Sequence, residues 1–88
     1  MNLTNLTWDR DSANEYSLWT AEGDDLCTII RSYDQRPCAS GFSNEVNDTT
    51  KPMRWTIIRP GQPTRSLGTP GLTVRQAKKL AESIIAGA

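Results

Sequence analysis

The chain has 88 residues, of which 36% are hydrophobic and 23% charged, with ten basic residues balancing ten acidic ones and no histidine. That length holds one domain built around one core, and the missing histidine excludes Ser-His and Cys-His nucleophiles as well as the usual zinc sets. No apolar run approaches the roughly 20 residues of a membrane span.

Met1 is followed by neither a basic nor an apolar leader segment, so the expected location is the cytoplasm. In that setting the sequons at Asn2, Asn5 and Asn47 go unused, and Cys27 and Cys38 are expected as free thiols. The neutral total hides an uneven distribution. Residues 1–50 carry Arg10, Arg31 and Arg36 against nine acids, and residues 51–88 carry seven bases against Glu82 alone. The halves are therefore −6 and +6. Either they fold together and mix their charges on one surface, or they leave an acidic and a basic pole suited to a charged partner or to self-association.

In chain order, Leu6 and Trp8 alternate with polar neighbours and predict a short strand over Leu6–Asp9. Two runs rich in β-branched and aromatic residues follow, Tyr16–Ala21 and Leu26–Tyr33, joined as a hairpin through Glu22-Gly23-Asp24-Asp25. The segment from Asp34 to Pro52 has too few apolar residues for regular structure and reads as a long polar loop over 34–52. Its sizeable apolar residues are Phe42 and Val46, which either pin the loop or contact a partner. Met53–Arg59 predicts another strand, Pro60-Gly61-Gln62-Pro63 a turn, and Thr64–Leu67 a returning edge strand.

The tetrapeptide Thr-Ile-Ile-Arg occurs in both strong strands, as Thr28–Arg31 and Thr56–Arg59. Alternation sends Ile29 and Ile57 to one face and Ile30 and Ile58 to the other. The richer face, with Cys27, Ile29, Met53, Trp55 and Ile57, is expected to receive the helix. Ile30, Ile58 and Trp19 would then form a moderately apolar outer patch. If Arg31 and Arg59 prove adjacent, they form an anion-binding candidate; if their strands are not neighbours, the repeat is coincidence.

The C-terminus predicts a helix over 73–86. Thr73 and Gln76 make a capping box. Val74, Ala77, Leu80, Ala81, Ile84 and Ile85 form one apolar arc, opposite the face carrying Arg75, Lys78, Lys79 and Glu82. The fold class is therefore α+β: an antiparallel β-sheet of three to five strands, lying within 6–67, with one C-terminal α-helix packed on one face.

Glycine-rich phosphate loops are missing. Asp9-x-Asp11-x-Ala13-x-Glu15 departs from a calcium loop at Ala13, which has no ligand atom. No catalytic, metal or cofactor residues are assigned, and the chain is read as a non-enzyme. The candidate interaction residues are Arg54, Arg59, Arg65, Arg75, Lys78 and Lys79, with Phe42 and Trp19. As a basic set they could track phosphates.

The order of strands then helix looks like the sheet-reading DNA-binding modules of phage integrases. More broadly, tryptophan-bearing strands followed by a Thr-x-x-x-Ala-Lys-x-x-Ala helix, here Thr73, Ala77, Lys78 and Ala81, resemble small orphan proteins of actinobacterial phages. That resemblance implies a virus-encoded cytoplasmic protein that binds and modulates a host protein, and it assigns no site residues. The leading expectation is a non-enzymatic protein-binding module with a host protein as partner. A DNA-binding accessory protein is the second, and a homo-oligomer joined through the outer sheet face or by charge asymmetry the third. No membrane partner is expected.

Overall fold

The computed structural model describes residues 6–37 and 45–87. Among the described residues seven strands precede one helix: β1 (Thr7–Ser12), β2 (Glu15–Trp19), β3 (Asp25–Ser32), β4 (Gln35–Pro37), β5 (Glu45–Asn47), β6 (Arg54–Ile58), β7 (Arg65–Ser66) and α1 (Val74–Gly87). Five of them form a sheet in the order β1-β2-β3-β6-β7, every neighbouring pair antiparallel. This is the expected α+β architecture, with the helix across one face.

The register explains the repeated tetrapeptide. Ile29 lies opposite Ile57, Thr28 opposite Ile58, and Ile30 opposite Thr56. The two copies pair antiparallel about the Ile29–Ile57 contact, and both isoleucines are buried completely. Around them Leu18, Cys27, Trp55 and Leu67 are also fully buried, and Ala77, Ala81 and Ile85 supply the helix side of the core. Alanine at 77 and 81 lets the helix approach the sheet closely. A larger side chain at either position would overpack the contact by about 1–3 kcal/mol.

Antiparallel pairing also separates the two arginines of the repeat. Arg31 faces Trp55 at one end, whereas Arg59 follows Ile58 at the other, about 13 Å of strand away. They form no common anion site. On the outer face the expected apolar patch is divided. Ile58 is 39% exposed and Ile30 half-buried, each beside a threonine, and Ser17 donates to Asp11 while hydrogen bonding to Thr28 at 3.1 Å.

The helix begins as its capping residues require. Gln76 N donates to Thr73 Oγ1 at 3.2 Å, and Thr73 N donates to Gln76 Oε1 at 3.0 Å. The hairpin turn between β2 and β3 uses Gly23 at φ 89°, where a side chain would be strained.

The polar loop expected over 34–52 needs correction, because it contains β4 and β5. These pair as a two-stranded ribbon, with Gln35 opposite Asn47 and Arg36 opposite Val46. The sequence lacks apolar side chains here, but a ribbon needs backbone pairing and cross-strand polar partners. Gln35 Nε2 donates to Asn47 Oδ1 at 2.7 Å, and Asp48 N to the Asp34 carbonyl at 2.7 Å. Val46 is half-buried. Phe42 and Cys38 lie outside the described residues. Cys27 is a free thiol in the core.

Candidate functional site

The sheet has two unequal edges. β7 is two residues long, so one edge is blunt. β1 is six residues long and, among the described residues, pairs with β2 alone. A long open edge presents unpaired backbone N–H and C=O groups.

Beside that edge the helix and β1 enclose an open groove of about 430 Å³ lined by Trp8, Val74, Arg75, Lys78, Lys79 and Glu82. Register places Trp8 on the helix side, because it lies opposite the fully buried Leu18. Its indole Nε1 donates to Glu82 Oε1 at 3.2 Å and so ties the edge strand to the helix. Lys78 reaches back over the same strands, its Nζ 5.7 Å from the Trp8 ring centroid and 4.9 Å from that of Tyr16. Such contacts stabilise by roughly 0.5–1 kcal/mol at exposed sites and fix the ammonium over the groove floor.

The helix charges stand against its dipole. Arg75 lies in the first turn and Lys78 and Lys79 follow, while that turn has no acidic residue and the last has no basic one. A cation in the first turn, here Arg75, costs about 0.3–1 kcal/mol at an exposed position, and the effect fades beyond that turn. Among the described residues, neither Arg75, Lys78 nor Lys79 forms an ion pair; the pairs present are Arg54–Asp34 at 2.8 Å and Lys51–Asp48 at 3.9 Å. Arg75 and Lys79, four residues apart, also repel one another, and an anionic group in the groove would offset that.

The remaining candidates do not join them. Arg54 is held by Asp34 at the base of the ribbon. Arg65 lies exposed on β7, at the opposite sheet edge. Arg59 is half-buried, and its Nε has no hydrogen-bond partner among the described residues. Its charge acts on Cys27, but burial and Asp25 outweigh it and push that thiol up to about 11. A thiol so raised is unreactive at neutral pH. Trp19 ends β2 between Thr7 and Asp25, half-buried. Phe42 is outside the described residues.

Sequence reading missed Trp8 and Glu82 as site residues. The available signals were the alternation placing Trp8 with Leu6 on the core side, and the Lys78–Glu82 spacing of four on one helix face. Which strand they would meet depends on how the helix crosses the sheet. Among the described residues no three cysteine or carboxylate side chains cluster as a metal set would, and no helix is long and apolar enough to cross a membrane.

Fold and groove together define a small two-layer α+β domain with one open sheet edge flanked by a cationic and aromatic groove. Comparison with family models, characterised proteins and solved structures finds no match.

Proposed function

We propose that the chain is a non-enzymatic protein-binding module and that the groove between β1 and α1 is where its partner docks. One observation carries this reading: Arg75, Lys78 and Lys79 line one groove with Trp8, in the N-terminal half of the helix, with no ion pair among the described residues. An aromatic floor with a cationic rim suits an acidic protein segment. DNA binding has less support. Arg54 is engaged by Asp34, Arg65 belongs to the other edge, and Asp9, Asp11 and Glu15 would repel a phosphate backbone passing β1. The resemblance to small phage proteins extends the proposal to a host protein as partner, met in the host cytoplasm.

The test is selection of a displayed random-peptide library on the immobilised chain and on Arg75→Glu/Lys79→Glu. Acidic sequences should be enriched on the parent and lost from the double variant. Enrichment that is identical on both would reject the groove. Salt-dependent duplex binding by the parent, abolished in the same variant, would replace this reading with the nucleic-acid one.

A further inference from the structure

The charges on β1 itself specify more than an acidic partner. Thr7, Asp9 and Asp11 point to the outer sheet face: Asp9 lies opposite Ser17, and Asp11 accepts from the same serine. Trp8 and Arg10 point to the helix side, opposite Leu18 and Tyr16. The edge is therefore two-sided. Its helix side, where Arg75, Lys78 and Lys79 outnumber Glu82, is net cationic, and its outer side is anionic.

We infer that β1 receives an extended segment of a partner protein as an added sheet strand, and that this segment alternates acidic residues on the helix side with basic or neutral residues on the outer side. The inference rests on the protein-binding reading above and adds to it the mode and the pattern recognised. Strand addition satisfies the free backbone groups of the edge, while alternate side chains supply specificity. The acids would enter the groove beside Trp8, and the bases would meet Asp9 and Asp11.

The same pattern argues against a second copy of this chain as occupant. A two-fold antiparallel β1–β1 pair brings odd positions against odd positions and even against even. Over Thr7–Arg10, ahead of the register shift between Arg10 and Ser12, Asp9 would face Asp9 or Thr7 and Arg10 would face Arg10 or Trp8. Like charges directly opposite are destabilising. Self-pairing is thus disfavoured, and a strand with complementary alternation is favoured.

The probe is a fluorescent, end-capped peptide, Glu-Lys-Glu-Thr-Glu-Lys-Glu-Thr, compared with an isomer of the same composition, Glu-Glu-Glu-Glu-Lys-Thr-Lys-Thr. The alternating peptide should bind at least tenfold more tightly, and Lys79→Glu should weaken it by a similar factor. Backbone N-methylation at every second residue should abolish binding in one phase and be tolerated in the other, because one edge of the added strand faces β1. The exposed change Asp9→Lys should shift preference toward a peptide acidic on both faces. Equal binding of the two isomers, both sensitive to Lys79→Glu, would overturn strand addition while leaving the protein-binding groove intact. Indifference to methylation phase would overturn it as well. Self-association of the free chain in sedimentation, competing with the peptide, would assign the edge to a second copy instead.

Discussion

The indole Nε1 of Trp55 donates to the main-chain carbonyl of Leu72 at 2.9 Å, joining the centre of the sheet to the residue that leads into the helix. Trp55 is almost wholly buried and also stacks at a tilt on Tyr16, with ring centroids 6.1 Å apart. Replacing it by phenylalanine keeps an aromatic ring but removes the donor and leaves unfilled volume. The expected loss is about 2–4 kcal/mol, combining an unsatisfied carbonyl with a cavity. Chemical denaturation should report it as a lower midpoint at an unchanged slope.

Gly68 and Gly61 provide a matched comparison. Both have positive φ, 66° and 71°. A Cβ at Gly61 would meet nothing within 4 Å, whereas one at Gly68 would lie 2.7 Å from Cδ1 of both Leu72 and Leu80. Gly61→Ala should therefore carry only the backbone penalty, about 1–2 kcal/mol. Gly68→Ala should cost more, because two leucine ends must move as well. Thermal denaturation of the two variants side by side gives the order.

Most of the main sheet and the helix was legible because their signals are local. The alternation in Cys27–Arg31 and Trp55–Arg59 assigned the faces, and Thr73 with Gln76 marked the helix start to within one residue. β1 runs further than expected, to Ser12, because polar residues pair well on an edge that water can reach. The ribbon β4–β5 was illegible for a related reason: it contributes no side chain to the core among the described residues, so hydrophobic patterning carries no trace of it. The groove was only half visible. Arg75, Lys78 and Lys79 follow from helix periodicity, but their meeting with Trp8 spans nearly the whole chain and depends on the crossing of helix over sheet.

Cys27 should make stability fall in alkali. Its thiol is raised to about 11 by burial first and by Asp25 next. Above the ordinary thiol value, near 9, the unfolded chain loses this proton while the folded chain keeps it. The unfolded state then binds fewer protons, so stability declines as pH rises through the window from about 9 to about 11. Cys27→Ala should flatten that decline at some cost at neutral pH. A thiol reagent applied at pH 8 should label Cys27 in the parent only after denaturant is added.

Asp48 should control the ribbon rather than the core. It is buried, its amide donates to the Asp34 carbonyl, its Oδ1 accepts from Thr50 N at 3.1 Å and from Thr50 Oγ1, and Lys51 Nζ stands 3.9 Å from Oδ2. The Thr50 side-chain bond, more than any other influence, holds its carboxyl below the usual aspartate value. A carboxylate of depressed pKa contributes stability above its unfolded value and loses it as pH falls through the folded one. Protection factors of the amides of Gln35, Arg36 and Glu45–Asn47, taken relative to intrinsic exchange at each pH, should therefore be high at neutral pH and fall on acidification, while amides of β3 and β6 keep their protection. Asp48→Ala should quicken exchange in the ribbon at every pH, and Asp48→Asn should do so less and without the acid dependence. Because neither strand of the ribbon contributes to the core among the described residues, the global unfolding midpoint should hardly change in either variant. A large fall in that midpoint would instead make the ribbon and the five-stranded sheet one cooperative unit.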